Sequence, residues 1–251
     1  MGADDKMIAR ELELCRRFAG SPGGCDAAKL AHERPLHTVT LPAYAIDREE
    51  ATNDGYDFCV VAGACTPRDH ARCETFKLGG LTGGVPEGNP LRAPDHPAVC
   101  VTQPQAAVYC RWRGGRLPTE AEWEKAARGT TPRLFPWGEE WDDRVTNWGD
   151  EKDGVYGAVD GQALSAPVGS YPRDASPYGA RDMGGNVWEW TADWYAADAY
   201  TKGVPASGDQ RVTRGGGFAA NPIAFTTAHR APQPPGRVAV NIGFRCVLPQ
   251  L

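Results

Sequence analysis

The heptad Gly184-Gly185-Asn186-Val187-Trp188-Glu189-Trp190 joins two small residues, two oxygen-bearing side chains and two large aromatics. In an extended backbone Trp188 and Trp190 point to the same face, and the glycines before them permit a tight turn. Asn186 and Glu189 offer hard oxygen ligands beside backbone carbonyls, which suits a metal-clipped loop at the centre of a domain. A glycine turn running into a buried aromatic strand fits the same seven residues, so the flanking sequence has to decide.

Downstream, Val240 to Val247 puts Val240, Ile242, Phe244 and Cys246 on one face and reads as a half-buried strand. Upstream, Arg116 to Gly129 is the strongest helix: Thr119 and Glu122 form a capping box and Gly129 is a stop. Trp123, Ala126 and Ala127 pack inward there, with the charges expected to face water. A second helix is predicted from Pro104 to Trp112, ended by Gly114-Gly115, and a third is capped near Thr52 with Tyr56, Cys59 and Val60 inside. Residues 7 to 18 have helical spacing, ended by Gly20 to Gly24. His37-Thr38-Val39-Thr40-Leu41 alternates as a strand, with His32 and His37 at its entry. Residues 64 to 97 read as a long surface excursion, and 130 to 251 as loops and short strands. Neither a repeat nor a linker divides the chain, so one α+β domain over 1–251, with its core at 35–247, is the economical reading.

Composition narrows the function. The 251 residues are 41% apolar and 24% charged, as in a soluble globular protein. Thirty glycines, 21 prolines and eight tryptophans predict many loops with aromatics filling the gaps between them. A net charge of −5 without a basic stripe argues against nucleic acid. Apolar runs fall short of the ~18–20 residues that span a membrane. The eight cysteines include no CxxC pair; Cys15/Cys25 and Cys59/Cys65, with Cys73, Cys100, Cys110 and Cys246, suggest disulfides and an oxidising compartment or cell surface. Residues 1 to 30 carry no signal-peptide core, which leaves the location open.

With these pieces placed, the chain resembles the formylglycine-generating enzyme (sulfatase-modifying factor) family. The matching stretches are Ala45-Ile46-Asp47 with Ala51-Thr52-Asn53, Arg116 to Gly129, Phe135-Pro136-Trp137-Gly138 and Ala166-Pro167-Val168-Gly169. They continue through Asp182-Met183-Gly184 to Trp190, Arg214-Gly215-Gly216-Gly217-Phe218 and Asn241-Ile242-Gly243-Phe244-Arg245. The resemblance implies a C-type-lectin-like α+β fold, low in regular secondary structure. It also implies structural Ca²⁺, at a first site on Asn147, Trp148, Asp160 and Gln162. A second site would fall on Gly184 or Gly185, Asn186, Val187 and Glu189. Mixed side-chain and carbonyl oxygens suit Ca²⁺, although each Asp or Asn also fits a turn that bonds its own backbone. A disulfide between Cys110 and Cys246 is implied as well. Met1-Gly2 resembles the family's early Met-Gly motif, which leaves open whether chain precedes it.

The family's chemistry is missing at the positions that carry it. Its enzymes oxidise a substrate cysteine with copper, oxygen and two cysteines five residues apart, which fall here on Ala220 and Phe225. Neither side chain replaces a thiolate as soft copper ligand and nucleophile, so no copper is expected. The five histidines form no HxH or HxxxH pair, and no serine or cysteine motif is arranged for nucleophilic catalysis.

Between the framework motifs, small apolar residues occupy a stretch that is Asn-rich in many family members. This looks like the variable proteins of diversity-generating retroelements, which present changeable side chains on a rigid lectin-like scaffold. The binding surface for a protein or small-molecule ligand is therefore expected on Phe218, Ala219, Ala220, Ile223, Phe225, Thr227, His229, Ala231, Gln233, Val238 and Val240. A degenerate relative with a drifted loop, and a maturation enzyme or oxidoreductase using another site, remain the competing readings.

Overall fold

Three short helices are set by their first turns. In α2 (Asn53–Val61) the Thr52 hydroxyl accepts the Gly55 N–H, and α3 (Gln103–Trp112) and α4 (Glu120–Arg128) each open with a reciprocal capping box, Thr102/Gln105 and Thr119/Glu122. Helix α1 (Asp5–Phe18) lies apart from them near the N-terminus. These elements come from a computed structural model that describes residues 1–18, 25–75, 83–149, 157 and 159–249. The expected Gly20–Gly24 stop and part of the 64–97 excursion lie outside that set.

Strand content is low. Strands β2 (Trp188–Trp194), β3 (Arg211–Arg214), β4 (Ala231–Gln233) and β5 (Ile242–Gly243) form a sheet in the order β4-β3-β2-β5, with β5 parallel to β2. Strands β1 (Ala45–Ile46) and β6 (Val247–Leu248) pair antiparallel. A last turn of helix, α5, covers Ala199–Lys202.

Two expectations need correction. Residues 37–41 form no ladder among the described residues; His37 exchanges backbone hydrogen bonds with Met1 alone, and a strand requires a longer partner than that. The terminal strand is not half-buried: Ile242 to Val247 are all buried, because both sides of this segment face core.

Disulfides and aromatics tie the loops together. Cys110–Cys246 joins α3 to the end of the chain across a sequence separation of 136. Around it pack Tyr56, Tyr109, Trp190 and Phe244, with Cys59–Cys65 in the same cluster. Cys73–Cys100 sits in a second cluster with Val187, Phe218 and Val240. A third holds Leu14, Phe135, Trp141, Trp148 and Phe225, and Cys15–Cys25 closes the end of α1. All eight cysteines are thus bridged, consistent with an oxidising environment. No helix among the described residues is long and apolar enough to cross a membrane.

Apart from Lys125, the charges of α4 do not face water. Glu120, Glu122, Glu124 and Arg128 are all buried. Arg230 forks onto Glu120 at 2.8 and 2.7 Å, Arg214 bridges Glu120 and Glu124 at 3.2 and 2.9 Å, and Arg116 clasps Glu122. Bidentate geometry of this kind compensates the loss of hydration that keeps unpaired carboxylates at the surface.

Candidate functional site

The loop 182–189 is shaped by backbone that few residues adopt. Asp182, Gly185 and Asn186 have φ of 55°, 107° and 58°, and a Cβ on Gly185 would lie 2.2 Å from Thr146 Oγ1. Asn186 is fully bonded within the protein. Its Oδ1 accepts from Ala166 N–H (2.9 Å) and Asn147 Nδ2 (3.1 Å), and its Nδ2 donates to Glu50 at 2.7 Å. Glu189 is equally engaged, accepting from Trp123 Nε1 at 2.8 Å and from Arg245 through two contacts of 2.7 Å.

The proposed ligand side chains of this loop therefore serve first as crosslinks. Beside this loop, among the described residues, the buried carboxylate oxygens left without a hydrogen-bond partner are Asp182 Oδ1 and Asp174 Oδ1, on two residues that the sequence did not single out as ligands. Four carboxyls, Glu50, Asp174, Asp182 and Glu189, gather here around Arg245. Burial, then the charge of Asp182, pushes Asp174 up to about 8. Burial raises Asp182 to about 6, and burial followed by Asp182 and Glu189 raises Glu50 well above the usual carboxylate range. Negative charge here exceeds what one guanidinium neutralises, and this excess, with the orphaned oxygens, fits a hard divalent cation.

The other proposed set also converges. Asp160 accepts the N–H groups of Trp148 and Gln162, each at 2.8 Å. Asn147 is buried; its Nδ2 donates to Leu164 O and Asn186, while its Oδ1 has no partner. An orphaned amide oxygen next to a carboxylate and carbonyls fits Ca²⁺, and the Asn147–Asn186 bond links the two sets. Among the described residues no group of three His, Cys, Asp or Glu is arranged to hold a metal, so carbonyls and amides would have to complete either shell.

The expected binding surface divides by burial. Ala219, Ala220, Ile223, His229, Ala231, Gln233 and Val238 are partly exposed, whereas Phe218, Phe225, Thr227 and Val240 are buried. These four support the surface and do not form it. Phe225 stacks on Trp141 at 5.9 Å beneath Leu14 of α1, Phe218 and Val240 pack beside Cys73–Cys100, and Thr227 bonds Arg133 O. The resemblance marked the stretch as a whole, and the 3-10 turn Pro222–Phe225 within it turns Phe225 inward.

The sulfatase-modifying factor enzyme 1-like domain matches residues 16–249. The chain belongs to this family. It is 36% identical to the formylglycine-generating enzyme of Bos taurus, over all of this chain and 72% of that protein. It is 37% identical to the enzyme of Thermomonospora curvata, over 93% of this chain and 94% of that one. Among solved structures, PvdO from Pseudomonas aeruginosa superposes with a TM-score of 0.65 at 27% identity, covering 86% of this chain and 85% of that one. Treponema denticola variable protein 1 gives 0.61 at 23%, covering 84% and 86%, and shares the fold.

The raised carboxyls give a pH prediction for the protein without bound cation. A carboxyl whose folded pKa is raised stabilises the fold fully below its unfolded value and loses that contribution as it deprotonates in place. Unfolding free energy, measured by urea titration, should therefore fall as pH rises from about 4 through about 6 and about 8. Asp174→Asn should flatten the upper part of that profile. Because the lowered pKa values of His70, His96 and the Met1 amine act in the opposite sense, the deciding result is the difference between the two profiles, and an Asp174→Asn profile parallel to the native one from about 4 to about 8 would contradict the assignment.

Proposed function

We propose that this chain is a calcium-supported binding member of the sulfatase-modifying factor family that does not perform copper-dependent cysteine oxidation. The observation that carries this reading is the filling of the oxidising position. Phe225 is buried in an aromatic stack, Ala220 has no polar atom in its side chain, and every cysteine is consumed in a disulfide. A thiol pair for copper has no source in such a chain.

The binding half of the reading rests on the partly exposed set from Ala219 to Val238. Disulfides, the arginine–carboxylate network and the aromatic clusters fix the backbone beneath it, so its side chains can change with little strain on the fold. Calcium would add to that rigidity. Asn147, Trp148, Asp160 and Gln162 would hold one ion, and Gly185, Val187 and Asp182, with Glu189 behind them, a second. The likeness to a variable protein supports a scaffold of this type.

Three outcomes test the reading. A cysteine-containing sulfatase peptide incubated with the protein, copper and oxygen should yield no aldehyde by mass spectrometry; sustained turnover would sink the proposal. Addition of chelator should lower the melting temperature and Ca²⁺ should restore it, while an unchanged melting curve counts against both ion sites. In coding sequences from sibling isolates, variation should fall on Ala219, Ala220, Ile223, His229, Ala231, Gln233 and Val238 and spare Phe218, Phe225, Thr227 and Val240. Variation spread equally over both sets would remove the surface from the argument.

A further inference from the structure

Away from the oxygen-rich loop, five polar side chains from separate parts of the chain meet beside Trp188. They are Glu11 of α1, His32 and Glu33 of the 3-10 turn Ala27–Glu33, Tyr195 after β2, and His229. His32, expected at a strand entry, is instead packed edge-on against His229 with ring centroids 6.4 Å apart. His229 Nδ1 lies 2.9 Å from Glu33 Oε1. His32 Nε2 lies 3.5 Å from the same oxygen, and His32 Nδ1 lies 2.9 Å from the Tyr195 hydroxyl. Glu11 and Glu33 are both fully buried and stand carboxyl to carboxyl.

Several of these atoms have no ordinary partner: both Glu11 oxygens, Glu33 Oε2 and His32 Nε2. One assignment of protons accounts for three of these four atoms, leaving one Glu11 oxygen. Glu11 carries a proton and donates it to Glu33 Oε2; both imidazoles turn an N–H toward Glu33 Oε1; and Tyr195 donates to His32 Nδ1. The electrostatics agree. Burial, then the charge of Glu33, pushes Glu11 well above the usual carboxylate range. Burial alone would raise Glu33 as well, but the hydrogen bonds from His229 and His32 overcome it and hold Glu33 ionised.

This arrangement fixes the tautomer of His229. With Nδ1–H committed to Glu33, the neutral form of the ring carries its lone pair on Nε2, which has no hydrogen bond among the described residues. The side chain is 18% exposed, and its ring lies 5.9 Å from that of Trp188, tilted by 49°. Gly217 sits against Trp188, where even a Cβ would come within 3.3 Å of the indole. A carboxylate-backed imidazole with its second nitrogen facing outward is the orienting arrangement used in acid–base catalysis.

We propose that His229, positioned by Glu33, is an acid–base catalytic residue acting on a substrate that lays a planar aromatic or acyl group against Trp188. Nε2 takes a proton from a substrate O–H or N–H, the imidazolium is stabilised by Glu33, and the same proton returns to the product. Toward an activated aryl ester, the Nε2 lone pair attacks the acyl carbon and the bond to the phenolate oxygen breaks. Water then hydrolyses the acyl-imidazole to a carboxylic acid and restores the imidazole. No oxidant or metal enters either step. The proposal goes beyond ligand capture and stands without it, since the dyad is reactive whether or not residues 219 to 238 bind a partner.

The probe is p-nitrophenyl acetate with the whole chain, following p-nitrophenolate release. His229→Asn, a change at a partly exposed side chain, should lower the rate at least about tenfold, while His37→Asn, outside the cluster, should leave it unchanged. Glu33 is a positioning residue, and its signature is spectroscopic: ¹⁵N NMR should show His229 protonated at Nδ1 in the native protein and a mixture of tautomers in Glu33→Gln. If that variant does not fold, the native spectrum and His229→Asn still decide. Native esterolysis by His229→Asn with unaltered near-UV circular dichroism overturns the proposal, and so does an Nε2–H tautomer in the native chain.

Discussion

Three arginines buried to 1% exposure or less, Arg214, Arg230 and Arg245, are the constraint on which the rest of the structure depends. Each reaches a carboxylate on another element. Arg214 and Arg230 tie the end of β3 and the 226–230 loop to α4 through Glu120 and Glu124. Arg245 ties the last segment to β2 through Glu189, and to the turns at Asp47, Arg48 and Arg181 through their carbonyls. With so little regular sheet, these crosslinks do work that strand ladders do elsewhere. Removing one partner of such a buried pair typically costs about 3–5 kcal/mol, because the other charge is left without compensation.

The same logic explains where sequence reading succeeded. Helix boundaries were legible because capping is local: Thr102 with Gln105 and Thr119 with Glu122 are three residues apart, and their geometry needs nothing from the rest of the chain. Glu120 and Glu124 were read as solvated because Arg214 and Arg230, which neutralise them, lie about 90 to 110 positions away, and no periodicity reports that. The family resemblance supplied the fold and the Asn147, Asp160 and Asn186 neighbourhood. It did not show that Asn186 is saturated, or that Asp174 and Asp182 hold the orphaned oxygens. The signal for Asp182 was present, an acid immediately before the Met183-Gly184-Gly185 turn, where positive-φ backbone turns short side chains inward.

The carboxyl-rich loop and the arginine network differ in one respect that matters for function. Around α4 every buried carboxylate is matched, with Arg128, Arg214 and Arg230 outnumbering Glu120 and Glu124. Around Arg245 the carboxyls are not matched, since Glu50, Asp174 and Asp182 add to Glu189. A fold can tolerate such an excess by protonating the acids or by holding a cation. The first choice makes stability depend on pH, and the second makes it depend on the ion. The proposed calcium corresponds to the second, and the oxygen donors beside Gly185 would be its ligands.

The N-terminal segment links the two halves of the functional argument. Helix α1 lays Leu14 over Ala224 and Phe225, and so helps to bury the position at which relatives carry their chemistry. The same segment delivers Glu11, His32 and Glu33 to His229, a residue on the face where the thiols are absent. If α1 served packing alone, an apolar residue in place of Glu11 would do better, because a buried acid against a second acid costs stability unless a proton is shared between them. The sharing leaves Glu33 ionised and His229 oriented, with its ring beside Trp188. A structural account of the segment explains Met7, Ile8 and Leu14; the pair Glu11–Glu33 is explained by what it does to His229.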